Sequence, residues 1–91
     1  MVREGLKLYQ FCESLTKLLV NSTQLFHLDI SGMFIGDQGI RQILLEGVAP
    51  SKTLAAIHFR DNKVSHWLRL QIYYALKGKM RTEDPNGLLD E

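Results

Sequence analysis

Apolar side chains recur along the chain at spacings of four, three and one: Phe11, Leu15, Leu18 and Leu19, then Ile40, Leu44, Gly47 and Val48, then Leu68, Ile72, Ala75 and Leu76. Positions i, i+4, i+7 and i+8 share one side of an α-helix, so the pattern predicts three amphipathic helices. Asp37 and Ser65 stand three residues ahead of Ile40 and Leu68. An N-cap side chain is expected there, accepting a backbone N–H bond. Between the helices, "QLFHLDI" and "TLAAIHF" are short, rich in branched or aromatic residues and bounded by turn formers, and they read as strands. A helix separates the two strands in the chain, so they are expected to pair in parallel.

The strands also repeat each other. At an offset of 29 residues, Leu25, Leu28 and Ile30 fall on Leu54, Ile57 and Phe59. Met33, Ile35 and Gly36 then fall on Asn62, Val64 and Ser65 at the same offset. Gly32 and Gly36 lie in the strand-to-helix turn, where a permissive backbone is useful. Gly47 and Ala75 hold equivalent helix positions, where a small side chain lets a neighbouring helix lie close. A glycine inside a helix costs about 1 kcal/mol against alanine, and close packing is the expected compensation. Asn21-Ser22-Thr23 reads as a helix-to-strand turn.

The run Leu25-x-x-Leu28-x-Ile30-x-x-Met33-x-Ile35-Gly36-Asp37-x-Gly39 resembles the leucine-rich repeat, and the period of 28 to 29 residues with a full helix resembles its ribonuclease-inhibitor subtype. The resemblance covers about residues 5 to 77. It departs from the family pattern at Met33, where the family places an asparagine that bonds turn backbone; Asn62 keeps that residue. Phe59 and Trp67 are bulky, and the last unit drifts from the consensus as capping units do. The resemblance implies an α/β solenoid segment with short parallel strands on a concave side and helices on a convex side. His27, Asp29 and Ser31 would then project from the first strand onto the concave face, and Ala56, His58 and Arg60 from the second. Asp29 would neighbour His58, and Ser31 would neighbour Arg60.

Residues 1–77 therefore form the repeat segment, a helix followed by two strand-plus-helix units. Residues 78–91, "GKMRTEDPNGLLDE", read as a flexible tail, with a short docking peptide around Leu88 and Leu89 as the alternative. Solenoids bury each unit against its neighbours and usually need at least three. Two units imply a piece of a longer repeat chain or a subunit of a larger complex.

Composition narrows the chemistry. The apolar share of 45% with 23% charged residues belongs to a chain that folds. Eleven basic and ten acidic residues give a net charge of +1, which argues against nucleic acid or anionic membrane as partners. One cysteine, Cys12, the absence of an apolar leader in "MVREGLKLYQ" and the absence of a long apolar run point to a reducing, cytoplasmic setting. Cys12, beside Phe11, reads as inert packing.

The glycines lack the G-x-G-x-x-G spacing and no Gly-Lys-Ser/Thr follows, so no nucleotide cofactor is expected. His27, His58, His66 and Cys12 show no metal-ligand spacing, so no metal site is expected. Ser31, His58 and Asp29 project from neighbouring strands, but nothing nearby supplies a nucleophile elbow or a deep pocket, and they read as solvated polar residues. Tyr73 and Tyr74 are consecutive and cannot both face the core; Trp67 is expected to plug the last turn.

These readings predict a non-catalytic protein-binding module that holds its partner on the concave face through His27, Asp29, Ala56, His58 and Arg60. The alternative is a scaffold subunit docked in a large cytoskeletal or ciliary assembly. An enzymatic or regulatory role, such as GTPase activation, rests on analogy with relatives of this repeat subtype alone.

Overall fold

A computed structural model describes the backbone of residues 2–79 and the side chains of residues 5–79. Helix α1 (Val2–Asn21) leads into strand β1 (His27–Asp29); α2 (Asp37–Arg41) runs on directly as a π-helical segment (Gln42–Val48); β2 (Ala56–His58) and α3 (His66–Leu76) follow. Gly78 and Lys79 form a turn, in which the Lys79 ammonium donates to the Ser51 carbonyl. The expected tail beyond it, with Leu88 and Leu89, lies outside the described residues.

The two strands pair in parallel, with His27 opposite Ala56, Leu28 opposite Ile57 and Asp29 opposite His58, the register predicted by the 29-residue offset. The chains stay side by side beyond the strands. Ile30 and Gly32 donate their amides to the carbonyls of His58 and Arg60 (2.8 and 2.7 Å), and Gly36 donates to Asn62 (2.7 Å). The two turns share two left-handed positions and part at the helix N-caps, where Gly36 has φ 91° and Ser65 has φ −69°. Left-handed residues occur at equivalent places, Gly32 and Asp61 at φ 75° and 61°, then Phe34 and Lys63 at 53° and 57°. Aspartate tolerates that region better than most side chains, whereas Phe34 and Lys63 are held there against a cost of about 1–2 kcal/mol each.

The entry turns repeat too. Ser22 Oγ accepts from the amides of Gln24 and Leu25, and Ser51 Oγ accepts from Thr53 and Leu54. The Thr53 hydroxyl then donates to the Leu25 carbonyl at 2.7 Å, joining the two entry turns.

Asn62 is the polar centre of the fold, 1% exposed and fully engaged. Its Oδ1 accepts the Ile35 amide (3.0 Å), and its Nδ2 donates to the carbonyls of Ile30 (2.8 Å), Phe59 (2.9 Å) and Arg60 (3.3 Å). Buried polar groups are stable only when paired in this way, and the pairing spans both turns.

One face of the sheet meets the helices. Ile30, Leu54, Ile57 and Phe59 are buried there with Ile40, Ile43, Leu44 and Val48 of the second helix and Leu68, Ile72 and Leu76 of α3. Gly47 is buried at the contact with α1: a Cβ on it would lie 2.9 Å from Leu19 Cδ1 and 3.3 Å from the Thr16 backbone. The expected close approach is present at this glycine. Gly39 plays a second such part, since its missing side chain would meet Ile35 and lie 2.8 Å from Cys12 Sγ.

Several sequence expectations need correction. In α1 the buried residues are Cys12, Leu15, Thr16 and Leu19, while Phe11 and Leu18 are exposed (37% and 54%). Leu18 precedes Gly47 by 29 residues, so it occupies the equivalent site on a helix that no preceding helix covers among the described residues. Ala75 is exposed as well, so the small residue of α3 receives no helix. The Asp37 side chain does not cap its own helix, whose N-cap is Gly36; it crosses to the next unit and accepts the Ser65 amide at 2.7 Å. Ser65 caps α3 as expected, accepting from Leu68. Residues 42–48 wind as a π-helix, closed by a bond from the Ala49 amide to the Leu44 carbonyl (3.0 Å). Spacings of four and one keep residues on one side in either winding, so periodicity did not separate them. Trp67 is 78% exposed and plugs nothing. Of the two tyrosines, Tyr73 packs on the core and Tyr74 faces outward.

Candidate protein-binding face

The sheet face opposite the helices carries the side chains that alternate with the buried ones. Period-two alternation sends Leu28 and Ile30 inward and leaves His27, Asp29 and Ser31 outward; Ile57 and Phe59 likewise leave Ala56, His58 and Arg60 outward. Together His27, Asp29, Ser31, His58 and Arg60 line an open depression of about 350 Å³. Ala56 stands opposite His27 and is half-buried. Its small side chain leaves the His27 ring room to lean along the diagonal toward His58. The two ring centres are 4.6 Å apart, tilted by 40°.

Asp29 organises one rim. It accepts the Ser31 amide at 2.9 Å, closing a short local turn. That amide, followed by the Ser31 hydroxyl, holds the Asp29 carboxyl below its ordinary range against a small opposing effect of desolvation; His58 and His27 add weaker attractions. Asp29 therefore carries its negative charge throughout the neutral range. Arg60 supplies a positive charge at the other rim, and the face carries both signs. Ser31, His58 and Asp29 do meet here, but Asp29 bonds the backbone amide of Ser31 and so shapes a turn.

Among the described residues, no three His, Cys, Asp or Glu side chains gather as a ready-made metal cluster. His66 lies apart, at the start of α3. His27 and His58 stand on different strands, so spacing within a single element does not reveal their pairing. The signal was the 29-residue offset, which makes His58 the neighbour of Asp29 and thereby a diagonal neighbour of His27.

A smaller cleft of about 150 Å³ opens between α1 and α2, lined by Leu8, Tyr9, Cys12, Ile35 and the glutamines 38 and 42. It is the more enclosed of the two. Cys12 at its base is buried, and that burial pushes its thiol pKa up, away from the reactive thiolate. The sheet face has the denser set of recognition groups.

Other exposed aromatic and aliphatic side chains lie outside both sites. Phe11 and Leu18 are on α1, Phe34 is in the first turn beneath the Lys63 ammonium, and Trp67 and Tyr74 are on α3. No helix among the described residues is long and apolar enough to cross a membrane. Comparison of the chain with protein-family models, curated proteins and solved structures yields no match.

Proposed function

We propose that this chain is a non-catalytic protein-recognition module of the leucine-rich-repeat type, which holds a partner protein against its strand face. The observation that carries the reading is the assembly of His27, Asp29, His58 and Arg60 around one open depression on a face with no core role. Two paired turns with left-handed residues at two equivalent positions and a buried asparagine spanning them support the repeat assignment. Both charge signs beside imidazole and a small residue suit a peptide or protein surface, where arginine is enriched among the strongest contacts.

The test is substitution of Arg60, which is exposed and lies outside the core. With the partner recovered by affinity capture on folded protein, Arg60→Ala is expected to weaken binding by about tenfold or more, the effect of a contact worth at least ~1.4 kcal/mol. An unchanged affinity with an unchanged thermal melt would move the contact surface elsewhere.

The scaffold reading draws on a different observation, the exposed apolar residues at both ends of the fold: Phe11 and Leu18 on α1, Trp67 and Tyr74 on α3. Large exposed apolar groups of this kind mark surfaces that other chains cover. On that reading the module is docked in a larger assembly, cytoskeletal or ciliary among the candidates, and Leu18→Lys would release it from its complex while Arg60→Ala would not.

A further inference from the structure

We propose that residues 80–91 of this chain fold back along the outer face of α3 and cover its exposed aromatic stripe. Trp67, Leu70 and Tyr74 are spaced three and four apart, so they share one side of the helix, turned away from the buried set Leu68, Ile72 and Leu76. Trp67 is 78% exposed, Tyr74 67%, and Leu70 is half-buried. The Tyr74 ring meets the Tyr73 ring edge to face at 5.1 Å, and Tyr73 packs on the core, so an aromatic surface runs from the interior out to the stripe. Apolar side chains scattered singly on a surface need no explanation. A tryptophan, a leucine and a tyrosine in one row mark a surface that something covers.

Charge selects the occupant. Residues 62–79 hold four basic residues, Lys63, Arg69, Lys77 and Lys79, and no acidic one. Residues 80–91 hold four acidic residues, Glu83, Asp84, Asp90 and Glu91, against the single basic Arg81. The overall balance of +1 hides this separation. At the C-terminal end of the stripe the Lys77 ammonium stands 5.8 Å from the Tyr74 ring centre, which sets a cation beside the aromatic surface. An occupant of this face must be apolar and acidic at once. Leu88 and Leu89, between the acidic pairs Glu83-Asp84 and Asp90-Glu91, meet both conditions.

Reach agrees with charge. The described residues end at Lys79, in the turn that follows α3, where the Lys79 amide donates to the Leu76 carbonyl at 2.9 Å. Helix α3 has 11 residues and is therefore about 16 Å long. The nine residues from Met80 to Leu88 can span about 30 Å when extended. Leu88 can thus come level with Trp67 and leave length for a bend at Pro85-Asn86-Gly87. A tethered segment meets its site at an effective concentration of order millimolar, which a separate chain of the same chemistry would have to match. The docking is independent of what the strand face binds.

Trp67 is the only tryptophan, so its fluorescence reads the stripe directly. Quenching by acrylamide, an uncharged probe, is measured on the full 91-residue chain and on two full-length variants, Leu88→Ser with Leu89→Ser, and Asp90→Lys with Glu91→Lys. The substitutions lie beyond α3 and its turn, so the core is left intact; circular dichroism checks this, and if one variant fails to fold the other decides. A segment that covers Trp67 most of the time is expected to lower the quenching constant of the unsubstituted chain by about twofold or more against both variants, at every protein concentration. Quenching in the unsubstituted chain equal to that in either folded variant overturns the proposal. So does a difference that grows with protein concentration, which would give the stripe to the same segment of a second copy. Neither result depends on Arg60 or on a bound partner, so failure here leaves the recognition reading to its own test.

Discussion

The turn after β1 and the turn after β2 pass through left-handed residues at two equivalent positions, yet one carries Asn62 where the other carries Met33. Asn62 is buried and bonded to four backbone groups, two of them in the preceding unit; Met33 is 45% exposed. The difference shows what the asparagine is for. It joins a turn to the turn before it, and where no earlier turn is present among the described residues, an exposed methionine stands in its place. A residue's value here depends on its neighbouring unit more than on its own local conformation.

The sharpest way to break this comparison is Asn62→Leu. The substitution keeps the volume but leaves the Ile35 amide and the Ile30 carbonyl buried without their partner. At about 1–3 kcal/mol for each unmet group, a loss of roughly 3 kcal/mol or more is expected. That is a large share of the 5–15 kcal/mol typical of a domain, and a fall in the urea midpoint measures it.

A second comparison of the same kind pairs Gly47 with Ala75. Gly47 faces α1 at contact distance, whereas Ala75 faces solvent. Gly47→Leu should cost about 2–3 kcal/mol by overpacking against Thr16 and Leu19, while Ala75→Leu should stay within about 0.5 kcal/mol. Equal effects in paired thermal melts would show that the helical spacing, and not the neighbour, sets the requirement.

The bond from the Ser65 amide to Asp37 links the two turns directly and is sensitive to acid. Hydrogen bonds from Ser65 lower the Asp37 carboxyl pKa, with Arg41 adding a weaker effect and desolvation opposing both. A depressed folded-state pKa gives stability that is complete above the unfolded value of about 3.9 and disappears as the pH falls through the lower folded value. Asp37→Asn should remove that part of the acid dependence, leaving a flatter stability profile below about pH 4. A denaturant series across that range checks it.

The smallest effect is expected at the reciprocal position. Met33→Asn restores the repeat pattern, but without an earlier turn to bond it should change stability by less than about 0.5 kcal/mol. A large gain would mean that asparagine suits this turn for reasons of its own.

These contrasts mark where the sequence was legible. Strand register, the cap at Ser65 and the buried sets Ile40, Leu44, Gly47, Val48 and Leu68, Ile72, Leu76 followed from periodicity, because each is decided within one unit or by the offset between two. The exposure of Phe11, Leu18 and Ala75 did not follow, because it depends on which neighbour is present, and spacing is silent on that. Phe34 and Lys63 in left-handed conformation were hidden by their residue types, which give no warning of it. The sheet-face residues were readable from alternation. The meeting of His27 with His58 required combining alternation with the offset.

The amide of Ile35 has an unusual position in this design. It is bonded to the side chain of a residue 27 positions later and to no backbone carbonyl of its own turn. Most amides in a short repeat exchange with solvent when their own helix or ladder frays. The Ile35 proton is protected only while the second unit is docked against the first. Its exchange rate thus reads out the cohesion between units separately from the integrity of either one, and a single residue reports whether the chain behaves as one cooperative body or as two halves in loose contact.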